Sequence, residues 1–358
     1  SRRRWRGRRF AGALLPLALV VGCTSFGPQT MREQQADYAA AVADGGKRQT
    51  LLNIVRLRYG DVPAFLSVSQ ILAGYSLQGT FSAGTDILSG GSLRLSDDAN
   101  VGVGGTFTNN PTVTYAPVTG ANFARTFLAP MQPADLFGLM LGGTSPSLVL
   151  GLGLHSIGGY ANERASAESQ VAADPGFAEV LALLIELQHL GRLSIQLAVV
   201  GQDRLATLGL AVGETEDGPE RRLRRLLDLP PDQTTFPLVY TLGAPRPGQI
   251  AIRTRSLIEV LSQLAGDIEV PEGDVADGST YAGLPFAGST VRLPRITVDH
   301  GVFEPRQAYA AANYNGTWFW IGAGDLESKR VFSFVMLLLS LSESSRPDQP
   351  PVISIPAG

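Results

Sequence analysis

One cysteine, Cys23, and three histidines, His155, His189 and His300, are all that 358 residues hold in thiol and imidazole. A lone thiol forms no intramolecular disulfide and builds no cysteine metal cluster. No two histidines stand close enough in sequence to read as a metal pair. A hydrolase would need a nucleophile with a base and a sharp turn. In Leu154-His155-Ser156-Ile157-Gly158 a leucine stands where the turn needs glycine. No phosphate loop and no dinucleotide fingerprint occur. The acidic run Asp267, Glu269, Glu272, Asp274, Asp277-Gly278 lacks the ligand spacing of a calcium loop and reads as solvated. No catalytic residue, cofactor or metal is therefore expected, and an envelope hydrolase is the least supported reading. Charge is scarce too. Charged residues make up 17% of the chain, with none between Asp61 and Asp86 or between Asp98 and Arg125.

The first 22 residues read as an address. Arg2, Arg3, Arg4, Arg6, Arg8 and Arg9 precede the uncharged apolar run Phe10–Val21, which is too short to span a bilayer. Val20-Val21-Gly22-Cys23 resembles the lipobox of bacterial lipoproteins. The resemblance implies that the Cys23 thiol receives a diacylglycerol and that its amine is acylated after cleavage. It also implies an outer-membrane, periplasmic-side location, because Thr24 rather than aspartate follows the cysteine. Arg2-Arg3-Arg4-Trp5 and Arg8-Arg9-Phe10 leave the twin-arginine export route open.

Hydrophobic residues at 44%, with 41 glycines and 23 prolines, describe a folded, loop-rich α+β protein. Loss of the six signal arginines would take the formal charge from −3 to about −9, which argues against nucleic acid as a partner.

Along the chain, residues 23–30 read as a tether. Helices follow over Met31–Val42 and Lys47–Tyr59, separated at Gly45-Gly46, and the second places Leu51, Ile54, Val55 and Arg58 on one stripe. Arg56, Arg58 and Asp61 are candidates for a polar network at its end. The period then becomes two, predicting an antiparallel meander of strands Phe65–Ala83, Leu93–Thr108 and Thr112–Pro117, turned at Asn109-Asn110-Pro111. Helices are predicted over Ala121–Leu128, Ala134–Leu141, from Pro146 to about Gly158, and over Gly176–Leu190. The last carries a core stripe of Val180, Leu183, Leu184, Leu187 and Leu190. A mixed α/β half completes the chain: strand Ser194–Val200, helix Glu220–Leu227, strands Pro237–Leu242 and Gln249–Arg253, helix Ser256–Leu264, and a strand near Val291–Val298. Asn315-Gly316 joins a hairpin, Ala308–Tyr314 with Thr317–Ile321. Asp325 caps helix Leu326–Leu341, whose face is Val331, Val335, Leu338 and Leu339, and strand Val352–Ile355 closes a hairpin-helix-strand unit. The composition places the boundary between an N-terminal domain, 31–165, and a C-terminal one, 166–358.

Three stretches, Leu51–Tyr59, Thr114–Gly120 and Gly316–Ile321 with Asp325–Lys329, together resemble a family of uncharacterised proteobacterial lipoproteins. The resemblance implies a fold neighbourhood and an address, and no activity.

Two groups are candidates for contact with a partner. Arg221, Arg222, Arg224 and Arg225 form the one basic cluster, on a helix whose Glu220 can pair with Arg224 at i, i+4. Its ligand would be anionic lipid or glycan. Trp318 and Trp320 share one face of a strand, with Phe319 on the other, and offer stacking surface for a sugar. The expected function is a lipid-anchored accessory module that binds other envelope proteins. The alternative is a subunit of an oligomeric outer-membrane pore or secretion channel, lending the uncharged strands near 65–83 and 93–108 to a shared barrel.

Overall fold

The computed structural model describes residues 26–344, apart from 73–74, 85–99, 110–111, 166–169, 202, 214, 242, 244 and 282–292. For 26–35, 38, 67–115, 170, 203 and 343–344 it describes the backbone alone. Cys23 and Val352–Ile355 lie outside the described residues, as does the start of the strand expected near Val291. The protein is α+β, as its composition predicts.

Contacts divide the chain into Ala64–Ala124 and everything else, not at 165/166. Two pairings carry the larger unit across the expected boundary. Strand β5 (Leu154–Ile157) pairs with β12 (Ile250–Thr254), and Ala165 donates its N–H to Gln263.

The larger unit begins with one helix, α1 (Phe26–Arg58), which runs through the expected break at Gly45-Gly46 and takes in most of the expected tether. Pro28 falls in the first turn, where its missing N–H costs nothing. A side chain at Gly45 would meet open space, whereas one at Gly46 would sit 3.3 Å from the Met336 tip. Gly46 thus serves close approach, and neither glycine ends the helix. Leu51, Ile54, Val55 and Arg58 are all buried, as their spacing predicts, where α1 packs on the segments Ala308–Tyr314 and Leu257–Ala265.

Strands β5, β6 (Tyr160–Ala161), β9 (Leu193–Val200), β10 (Asp203–Leu210), β11 (Thr235–Tyr240) and β12 form a six-stranded sheet in the order β6-β5-β12-β11-β10-β9. Only β11 and β12 are parallel neighbours. One face buries Ala206, Leu208, Leu210, Phe236, Leu238, Ile250 and Ile252. The helices of this part are α2 (Pro133–Leu141), α3 (Pro146–Gly153), α4 (Pro175–His189), α5 (Pro219–Leu226) and α6 (Leu257–Ala265), of which α2 packs on β9, β10 and β11. Pro133, Pro146, Pro175 and Pro219 each open a helix, where a fixed φ is an advantage. Helix α3 stops at Gly153 rather than Gly158, because the chain turns into β5 and reverses at Gly158-Gly159, both at positive φ. Of the α4 stripe, Val180, Leu183, Leu184 and Leu187 are buried while Leu190, past the last turn, is 53% exposed. Strand β10 and the short antiparallel pair β7 (Arg164–Ala165) and β8 (Gln170–Val171) have no counterpart among the sequence expectations. Residues 293–297 are irregular, with a single bridge from Val298 to Ile268.

A second sheet, β13 (Asp299–Gly301), β14 (Ala308–Tyr314) and β15 (Thr317–Gly322), has β15 in the middle. Asn315 and Gly316 both adopt positive φ, as the turn requires, and Tyr314 pairs with Thr317. Ala310, Ala312, Phe319 and Ile321 are buried on one face. In the last helix, α7 (Leu326–Ser344), Asp325 accepts from the Ser328 N–H and hydroxyl. These bonds hold its carboxyl below the ordinary range. Val331, Phe332, Phe334, Val335 and Leu338 are buried.

The smaller unit holds the uncharged strands. Here β1 (Leu66–Leu72) pairs with β4 (Thr112–Pro117), and β2 (Tyr75–Gly84) with β3 (Asn100–Asn109). The pairing is antiparallel, as expected, but strands β3 and β4 do not neighbour each other. Both return along the same partner segment. The expected meander pairing of the second and third strands is therefore corrected, while 110–111 of the expected turn lie outside the described residues. The register Tyr75↔Asn109 resumes without a shift at Leu72↔Thr112 and Ile71↔Val113. Two ladders in one register make a two-stranded ribbon of β1 with β4 and β2 with β3.

Candidate functional site

The ribbon's chemistry follows from its register. Alternate residues of a strand lie on opposite faces, and residues paired across a ladder share a face. In β2/β3 one face receives Leu77 with Phe107, Phe81 with Val103, and Ala83 with Val101. The opposite face receives Ser76 with Thr108, Gln78 with Thr106, and Ser82 with Gly102. Further down, Ile71 with Val113 continues the apolar face, and Gln70 with Thr114 the polar one.

Parity should then fail, because Leu66 and Val68 are even-numbered where Ile71 and Leu77 are odd. A register shift between Val68 and Gln70 prevents this. One extra residue on the β1 side places Val68 opposite Tyr115 and Leu66 opposite Pro117, in phase with Val113 and Phe107 on the other strand. The irregularity keeps one face mostly apolar along both ladders, with Asn109 opposite Tyr75 as its polar member. Neither face carries a charged residue. Both ladders are two-stranded among the described residues, so no third strand pairs with either edge of β2/β3 there. A two-stranded ribbon with an apolar face is marginal alone in water and calls for cover.

The basic cluster is divided between one buried arginine, Arg224, and three exposed ones, Arg221, Arg222 and Arg225. Arg224 is buried and donates to the carbonyls of Pro230 at 3.0 Å, Gln233 at 2.6 Å, Leu210 at 3.3 Å and Ala211 at 3.2 Å. Burial pushes its pKa down, and the Phe236 ring lies 5.4 Å away. Glu220 pairs with Arg192 at 2.7 Å rather than by hydrogen bond with Arg224. Burial works against the Glu220 charge, but the hydrogen bond from Arg192 holds its carboxyl below the usual range. The exposed arginines each face an acid: Arg221 with Glu216 at 3.7 Å, Arg222 with Glu179 at 2.7 Å and Arg225 with Asp217 at 3.8 Å. Helix α5 is a charge-paired face bolted down by one buried arginine.

Trp318 and Trp320 are half-buried on the face of β15 opposite Phe319, as alternation predicts. They pair with Gly301 and Asn313, and with Asp299 and Ala311, respectively. A Cβ at Gly301 would lie 3.2 Å from the Trp320 ring, so that ring already has backbone cover.

The sequence does not assemble the cluster around Arg295, and its Asp267, expected in solvent, has a side chain only 7% exposed. Arg295 bridges Glu163 at 3.1 Å and Asp267 at 3.4 Å, and Gln263 donates to Glu163 at 3.0 Å. Buried Arg255 donates to the carbonyls of Gly151 and Leu152 at the end of α3, and to that of Glu163. Burial pushes Asp267 up to about 7 against the pull of Arg295, raises Glu163, and lowers Arg255 to about 10. Their bonds go to one another and to backbone carbonyls, which makes the cluster a clamp on α3 and α6. Of the acidic run, Asp274 accepts from the Tyr59 hydroxyl at 2.5 Å. Arg58 turns inward, stacks 3.9 Å from the Tyr281 ring and donates to its carbonyl, while Tyr314 donates to Asp61. His155 is half-buried, and burial with Arg253 and Arg255 lowers its pKa. Among the described residues no group of three or more metal-ligating side chains occurs, and no helix is long and apolar enough to cross a membrane.

No family model, no curated protein and no solved structure matches this chain.

Proposed function

We propose that this protein is a non-catalytic accessory module of the bacterial envelope. In this reading it is anchored on the periplasmic side of the outer membrane by lipid on Cys23, and it works through the ribbon of residues 66–117. The observation that carries the reading is the ribbon's mostly apolar face, uncharged throughout and kept in phase by a register shift. A strand segment that merely linked two parts of a fold would have no need of that phase. Helix α5 contributes no comparable surface, since its arginines are paired or buried.

Photo-crosslinking residues installed singly at Phe81, Phe107 and Gln78 test this in living cells. Adducts should form at Phe81 and Phe107 well above those at the exposed body position Glu327. Equal, background labelling at all four positions would remove the ribbon as the working surface.

A further inference from the structure

We propose that the occupant of each ribbon edge is the ribbon of a second copy of this chain, and that the copies close into a membrane-spanning β-barrel. The proposal rests on the reading of the ribbon as the working element. Four features argue for it together.

The first is length. Strands β2 and β3 are 10 residues each, and a tilted strand crosses a hydrocarbon core in about 9–11. The second is charge. None of Leu66–Leu72, Tyr75–Gly84, Asn100–Asn109 or Thr112–Pro117 contains a charged residue, although charge is the usual device that keeps strand edges apart. Charges return in the sequence at Asp86, two positions past the end of β2. The third is the division of faces. Leu77, Phe81, Val101, Val103 and Phe107 fall on one, and Ser76, Gln78, Thr80, Thr106 and Thr108 on the other, which is the lipid-facing and lumen-facing alternation of a barrel.

The fourth is backbone accounting. In lipid every N–H and C=O must be paired within protein, so a two-stranded ribbon cannot enter alone. In water a two-stranded ribbon with an apolar face is marginal on its own. Joining edges answers both demands. The two edges differ, one from β2 and one from β3, so copies associate head to tail, which closes into rings. Placing β3 of one copy beside β2 of the next keeps all strands antiparallel with like faces aligned. A partner of another kind would have to reproduce the same uncharged, phased pattern, which a second copy supplies by construction. Closed membrane barrels begin at about eight strands, so two strands per chain require about four copies or more.

The test uses the full-length lipidated protein, purified in detergent and reconstituted into vesicles of phosphatidylethanolamine and phosphatidylglycerol loaded with a small fluorescent dye. Wild type should run as a ring of about four or more copies by light scattering and release the dye. Leu77→Lys, on the lipid face, should cut release by about thirtyfold or more. Gln78→Lys and Gln78→Glu, on the lumen face, should keep both assembly and release while shifting ion selectivity in opposite directions in planar bilayers. A monomer that leaves vesicles sealed overturns the barrel. If such a monomer still gives adducts at Phe81 in cells, the ribbon stays a docking arm for another envelope protein and only the barrel falls. Equal effects of Leu77→Lys and Gln78→Lys would also overturn it, since the two faces would then not face lipid and water.

Discussion

Arg224 and Arg225 are neighbours in sequence with opposite fates. The first satisfies four carbonyls from a position 5% exposed, and the second meets Asp217 across solvent. Arg224→Ala should cost about 2–4 kcal/mol, because buried carbonyls lose their donors. Arg225→Ala should stay within about 0.5 kcal/mol. Urea midpoints of the two variants measure the contrast. Asp267 gives a pH dependence. Its folded-state value near 7 lies above its ordinary 3.8, so the folded protein keeps a proton that the unfolded chain releases. The stability tied to that proton is full below about pH 4 and is lost as pH rises through about 7. Arg295, Glu163 and Arg58 are the charges that act on it. Asp267→Asn should flatten the loss of denaturant midpoint between about pH 4 and pH 7.5 relative to wild type. A slope equal to that of wild type would place the proton elsewhere. Neither fate was legible in the sequence. A run of arginines looks alike whether a residue caps carbonyls or meets water, and Glu163, Asp267 and Arg295 are joined only by the fold.

Among the elements, those specified by local chemistry were the ones the sequence made plain. The Asn315-Gly316 hairpin, the Asp325 cap and the four proline-led helices each depend on residues within a few positions. Partnerships over distance were not visible: β10, the brief strands after α3, and the partner of β4. Helix α1 shows how context overrides propensity, since two adjacent glycines read as a stop and are instead passed through. Two substitutions follow. Gly45→Ala should stabilise the protein by about 0.5–1 kcal/mol, as open space surrounds the position within a continuous helix. A drop in melting temperature would show that the chain needs glycine there. Val335→Asp should destabilise by about 3–5 kcal/mol, since a fully buried α7 position would receive an unpaired carboxylate. A thermal melt within a degree or two of wild type would contradict that burial.

At the scale of the molecule, the address and the ribbon stand on different kinds of ground. The address comes from residues 1–23, outside the described structure, and its test is in the cell. Cys23→Ala should leave the protein unprocessed or released into the periplasm. Fractionation that still finds it firmly in the outer membrane would show that lipid is not the anchor. The ribbon was half legible. Alternation announced its strands and the missing charges marked them off, but period alone does not say which strand lies beside which. The register shift near Ser69 has a consequence for how such a chain can change over generations. Each residue added to or removed from one strand exchanges the faces of everything beyond it. Insertions and deletions here are therefore tolerated in even numbers, or in odd numbers only where an irregularity is gained or lost to restore the count. Loss of Ser69 alone would remove the irregularity and leave Val68 opposite Tyr115 and Leu66 opposite Pro117, whereas one residue added beside it would turn both onto the polar side.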